Sequence, residues 1–157
     1  MTPEDESWLS QAVALATANV ADGGGPFGAV VVRDGVVIGA GQNRVTRDND
    51  PTAHAEVLAI RAACRAVGDF SLAGCTVYTS CEPCPLCLAA CLWARIDRVV
   101  FAADRTDAAR AGFDDSVFYD LFESDPATWP MPVVGHRVAT ATAPMEAWLA
   151  RPGRVEY

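Results

Sequence analysis

Residues 76–103 read TVYTSCEPCPLCLAACLWARIDRVVFAA, and the order of residue types along them decides the fold class. Residues 76–80, rich in β-branched and aromatic side chains, predict a strand. Residues 85–94 predict a helix opening on Pro85, which is tolerated there because first-turn amides have no intrahelical partner. Residues 98–103 predict the next strand. Upstream, Val57, Ile60, Cys64 and Val67 form one stripe of a preceding helix, with Arg61 and Arg65 off it.

Farther out, Trp8, Leu9, Ala12, Val13, Ala16 and Val20 recur at helical spacing, and Asp22-Gly23-Gly24-Gly25-Pro26 stops that first helix. Residues 29–33 and 36–38 are β-branched runs joined by Asp34-Gly35, a pair suited to a two-residue hairpin turn. Both runs are apolar on successive residues, so both sheet faces should be covered. A polar loop over 43–50 leads through Pro51-Thr52 to the second helix. Behind the opening helix and hairpin the order is β-α-β-α-β. Beyond Ala103 the pattern predicts a short helix over 116–122, a fifth strand over 133–139 carrying His136 in a structural role, and a last helix over 145–150. The expected fold is α/β: a three-layer α/β/α sandwich around a central five-stranded mixed sheet.

The 157 residues are 51% hydrophobic and 20% charged, which suits one domain over 1–157 with a substantial core. No apolar run approaches the roughly 18 residues of a membrane span, and the acidic start, Glu4-Asp5-Glu6, is unlike a secretory signal. A cytoplasmic protein is expected. The 20 acidic residues against 12 basic ones, all Arg, leave a formal charge of −8, which repels polyanions and argues against nucleic acid as a partner. Six cysteines without an export signal point to metal binding or core packing before disulfides. Cys64, Cys75 and Cys91 lie in core-like segments and read as buried thiols.

Cys84 and Cys87 are three apart, so their sulfurs share a face of a first helical turn, where the helix N-terminus also favours thiolate. His54 and Glu56 are two apart and would diverge in mid-helix, so they belong at a helix tip. An imidazole and two thiolates are good zinc donors. Three protein ligands leave the fourth tetrahedral position for water, the mark of a catalytic zinc. With two thiolates cancelling the metal's charge, a carboxylate such as Glu56 is needed to move the water's proton. Two other readings compete: a closed structural zinc with Cys81 as fourth ligand, which would suit an interaction protein, and a redox cysteine pair. Glu56 argues against the first, because a structural zinc has no use for it, and nothing else in the chain resembles a thioredoxin motif.

An H-x-E followed by P-C-x-x-C is the zinc deaminase arrangement, here carried by His54, Glu56, Pro83, Cys84 and Cys87. The thirty residues from His54 to Cys84 hold one helix and one strand, as the cytidine-deaminase-like fold requires. Within that superfamily the chain resembles the bacterial guanine deaminases along nearly its whole length. The matching stretches are 25–29, 49–60, 78–87, 93–95, 106–109 and 111–115, with Glu156-Tyr157 at the end. The resemblance implies one zinc per subunit on His54, Cys84 and Cys87, with Glu56 as proton shuttle. It also implies a base pocket: Phe27 and Trp93 around the ring, Asn43 on its edge, Asp115 and Tyr157 as further polar contacts. It further implies a homodimer in which residues 148–157 cover the partner's active site.

The expected reaction is guanine to xanthine and ammonia. Ile96 stands where these relatives carry proline, and residues 123–143 match them poorly. Cytosine, isoguanine or triazine rings are therefore alternative substrates, and a tRNA adenosine deaminase is the rival that the acidic balance disfavours.

Overall fold

The computed structural model describes residues 1–156; Tyr157 lies outside the described residues. The chain divides into two compact units, 1–116 and 117–157.

In the first unit, α1 (Pro3–Ala21) precedes β1 (Gly28–Arg33) and β2 (Val36–Gln42), then α2 (Val45–Asp48) and α3 (Ala55–Val67). Next come β3 (Thr76–Cys81), α4 (Pro85–Trp93), β4 (Arg98–Ala103) and α5 (Arg105–Arg110). The sheet has four strands in the order β2-β1-β3-β4, with β1 antiparallel to both neighbours and β4 parallel to β3. Asp34 and Gly35, at φ 50° and 72°, make the expected hairpin turn. The β1–β2 register shifts between Val31 and Val32.

Alternation along the strands divides the core in two. Ala29, Val31 and Val77 pack with Ala55, Ala59, Ile60 and Ala63 of α3 and with Cys91. Val30, Val32 and Tyr78 face the other way and pack with Leu9. Helices therefore cover both faces, as the unbroken apolar runs of β1 require. Contact is close because the strands carry glycine under the helices: a Cβ on Gly28 would overlap the backbone of Ala12 and Ala16, and one on Gly41 that of Ala55 and Ala59.

The buried residues of α1 are Asp5, Leu9, Ala12, Ala16 and Asn19, a stripe ending in a polar residue at each end. Val13 and Val20, expected on that stripe, are exposed. Asp5 closes a capping box with Thr2 and takes Arg98 on both carboxylate oxygens, at 2.8 and 3.1 Å, and Tyr78 Oη at 2.8 Å. The loop expected over 43–50 contains one helical turn, α2, braced by the Arg44–Asp48 pair and closed by Asn49 at φ 51°. Cys75 and Cys91 are buried as expected, and Cys64 is partly so. Ile96 packs against the core beside α3.

The second unit holds most of α6 (Ser116–Phe122), a 3₁₀ turn (Pro126–Thr128) and α7 (Ala143–Ala150). Phe122 and Trp129 meet edge to face at 5.4 Å, and Trp129 Nε1 donates to Ser124 Oγ at 3.0 Å. The fifth strand expected over 133–139 is not formed. Residues 131–140, His136 among them, are all exposed; Val133 N–H bonds to the Pro126 carbonyl in a turn, and no neighbouring strand is there to make a ladder with this run. None of the described residues of this unit is buried.

Candidate metal centre

Helix α3 opens on His54 and helix α4 on Cys84, both N-cap residues with extended backbone (ψ 153° and 168°). Neither makes a side-chain capping bond, although Ser, Thr, Asp or Asn there would stabilise the helix by about 1 kcal/mol. Both side chains are turned instead to one shared point. Pro85 is the first residue of α4 and Cys87 the third, so Cys87 Sγ returns to the same point one turn in.

His54 Nδ1 lies 3.5 Å from both Cys84 Sγ and Cys87 Sγ, and the two sulfurs are 3.7 Å apart. A tetrahedral zinc with Zn–S of about 2.3 Å and Zn–N of about 2.0 Å requires separations of about 3.8 Å between sulfurs and about 3.5 Å from sulfur to nitrogen. The donor set therefore fits zinc, and with three protein ligands it leaves one position for water. These are the only side chains of their kind that cluster in this way among the described residues. Cys81 is not in the cluster: its thiol donates to the Asp104 carbonyl at 3.6 Å, and burial pushes it up to about 11. The four-ligand alternative loses its fourth ligand.

Of the three donors only Cys84 is drawn toward its metal-binding form, so binding a cation has to displace the protons held on the other two. The Cys84 thiol is drawn down to about 4, chiefly by its hydrogen bond with Cys87 and then by His54. Cys87, beside that thiolate and buried, is pushed up. Hydrogen bonding to Cys84 raises His54.

Glu56, the second residue of α3, is only 5% exposed, and burial raises its carboxyl. Thr79 Oγ1 donates to its Oε1 at 3.0 Å, and Cys87 Sγ stands 3.3 Å from its Oε2. One oxygen is thus held by the sheet and the other faces the metal ligands. Thr79 is a site residue that the motif reading misses. Its signal is period-two alternation, which puts it on the same side of β3 as Val77, toward α3.

Of the expected base contacts, Phe27 lies just before β1, with its ring edge-to-face on Phe113 at 5.0 Å. Asn43 follows β2 and is buried, and its Oδ1 accepts the Val45 N–H at 3.2 Å, which leaves Nδ2 as its donor end. Asp115 is half-buried near Cys84, whose charge helps burial raise its carboxyl. Trp93 lies at the other end of α4 from Cys84, about 13 Å along the axis, and is 61% exposed. Tyr157 is outside the described residues.

Residues 2–103 match the zinc-binding region of the cytidine and deoxycytidylate deaminases. The chain is 49% identical to the guanine deaminase of Bacillus subtilis over 97% of its own length and 98% of that protein's. The crystal structure of that enzyme superposes with a TM-score of 0.95 over 100% of this chain and 99% of the other, at 48% identity. A second solved protein, crystallised with 8-azaguanine, gives a TM-score of 0.68 at 30% identity over 91% of this chain and 72% of its own. The tRNA-specific adenosine deaminase of Aquifex aeolicus is 40% identical over 77% of this chain and 73% of its own.

Proposed function

Because the chain belongs to the cytidine and deoxycytidylate deaminase family, we propose that it is a zinc-dependent nucleobase aminohydrolase converting guanine and water to xanthine and ammonia. The observation that carries this is Glu56: a buried carboxylate fixed by Thr79 on one oxygen and facing the His54, Cys84 and Cys87 cluster with the other.

His54, Cys84 and Cys87 would hold the zinc, which when bound would supply Lewis acidity and lower the pKa of a water to near neutral. Glu56 takes the proton released as that water adds to the amino-bearing ring carbon. It gives the proton to the adjacent ring nitrogen, then carries the remaining hydroxyl proton to the exocyclic nitrogen, so that the carbonyl forms as the C–N bond breaks and ammonia leaves. Burial raises the Glu56 carboxyl, which makes it able to hold a proton between these transfers. Phe27 packs on the ring, Asn43 donates through Nδ2 to an acceptor on its edge, and Asp115 and Tyr157 add polar contacts.

The active form is a homodimer in which residues 148–157, part of a single deaminase domain, cover the partner's site. Two observations support this. Phe118, Phe122, Met131, Val134, Met145 and Leu149 are each more than half exposed, more apolar surface than a unit without buried residues can shelter alone. Trp93, exposed and distant from the zinc ligands of its own chain, fits a base pocket better from a second copy. None of the six cysteines is in a disulfide, which suits the reducing cytoplasm, and no helix among the described residues is long and apolar enough to cross a membrane.

Ammonia release by the zinc-loaded protein from guanine, cytosine, isoguanine, a triazine and cytidine tests this reading. Efficient turnover of guanine alone is the expected result, and turnover of another ring with guanine inert would overturn the substrate assignment. Glu56→Ala should keep its zinc and lose turnover.

A further inference from the structure

We propose that Asn19 is a positioning residue for the base: its side-chain amide closes a ring of hydrogen bonds that locks Phe27 and Asn43 together. The inference rests on the reading of those two residues as base contacts.

Asn19 sits near the end of α1 with none of its surface exposed. Its Nδ2 donates to two carbonyls, Gly25 O and Asn43 O, each at 2.8 Å. Gly25 O also accepts the Phe27 N–H at 2.9 Å, and Phe27 O accepts the Asn43 N–H at 3.0 Å. The circuit therefore runs from Asn19 to Gly25, Phe27 and Asn43 and back to Asn19. The last paired residues of the β1–β2 ladder are Gly28 and Gln42, so Phe27 and Asn43 lie one step past its end, where strands fray. The Asn43-to-Phe27 bond continues the ladder by one rung, and Asn19 seals it from the helix above.

The chemistry of the side chain is specific. Both amide hydrogens are used, while Oδ1 is buried without a partner. The two adjacent donors are what this side chain supplies, since each ties down a carbonyl of the circuit. Aspartate has the same shape but would face two carbonyls with a carboxylate, and serine has one donor. The adjoining glycines seat the device: a Cβ on Gly24 would overlap the Asn19 amide, and one on Gly25 would lie 3.0 Å from Asn43 Oδ1.

Two variants test this. Asn19→Leu keeps the branching and heavy-atom count at a larger volume and removes both donors, and Gly24→Ala keeps the amide and displaces it. In each, KM for guanine should rise roughly tenfold or more, as expected when a recognition group is mispositioned, with zinc still at one per chain. A purely structural role would lower the melting temperature and the yield of active protein and leave KM where it was. A KM equal to that of the wild type in either folded, zinc-loaded variant overturns the proposal. Gly24→Ala carries the test if Asn19→Leu does not fold. Failure of the wild type itself to deaminate guanine would bring down the functional reading on which this rests, an outcome distinguishable from wild-type turnover with an unmoved KM.

Discussion

Thr79 reaches Glu56 from a central strand of the sheet, completely buried, and its hydroxyl is the only hydroxyl donor on that carboxylate among the described residues. Thr79→Val keeps the branched shape and deletes the donor. Loss of a hydrogen bond to an ionised group is worth about 1.5–3 kcal/mol, so kcat should fall roughly 10- to 100-fold with zinc content and KM for guanine nearly unchanged. Thr79→Ser should restore most of the rate, and steady-state kinetics on the three proteins check both statements. The cluster of His54, Cys84 and Cys87 with Glu56 beside it is legible in the sequence because few side chains bind zinc and their spacing is local to two helix starts. Thr79 and Asn19 are not, because each acts across more than twenty residues, on Glu56 and on the Asn43 carbonyl. Asn19 reads in sequence only as a polar break in an apolar stripe.

At the scale of elements, both helix starts give up a capping side chain to a ligand, a local rule broken where function needs it. The opposite holds at α1, where Asp5 caps the helix and also binds β3 and β4 through Tyr78 and Arg98. The Arg98 hydrogen bonds, with those from Thr2 and Tyr78, hold the Asp5 carboxyl well below the usual carboxylate range. A depressed folded-state pKa contributes stability that is whole above the unfolded value, about 3.9, and is lost as pH falls toward the folded one. The melting temperature of the wild type should therefore drop more steeply below about pH 4 than that of Asp5→Asn, a difference calorimetry can read. The helices and hairpin are legible because their signals lie within the segment. Even α5, which apolar periodicity does not mark, carries one: Asp104 and Asp107 form a capping box. The strand expected over 133–139 fails because a run such as Val133-Val134 states a propensity, and only pairing makes a strand.

For the molecule as a whole, the exposed apolar side chains of residues 117–156 predict a dimer. Sedimentation should give twice the chain mass of 16.6 kDa. A chain ending at Ala147 should retain zinc and lose most of its guanine turnover, whereas full activity in a monomer would remove the tail from the site. The clamp at Asp5 has a further bearing, on the order of assembly. Arg98 lies 93 residues from the carboxylate it grips. On a ribosome that one clamp cannot close until the strand made fourth has emerged, so the helix made first docks on β1 and β3 before its last tie is in reach.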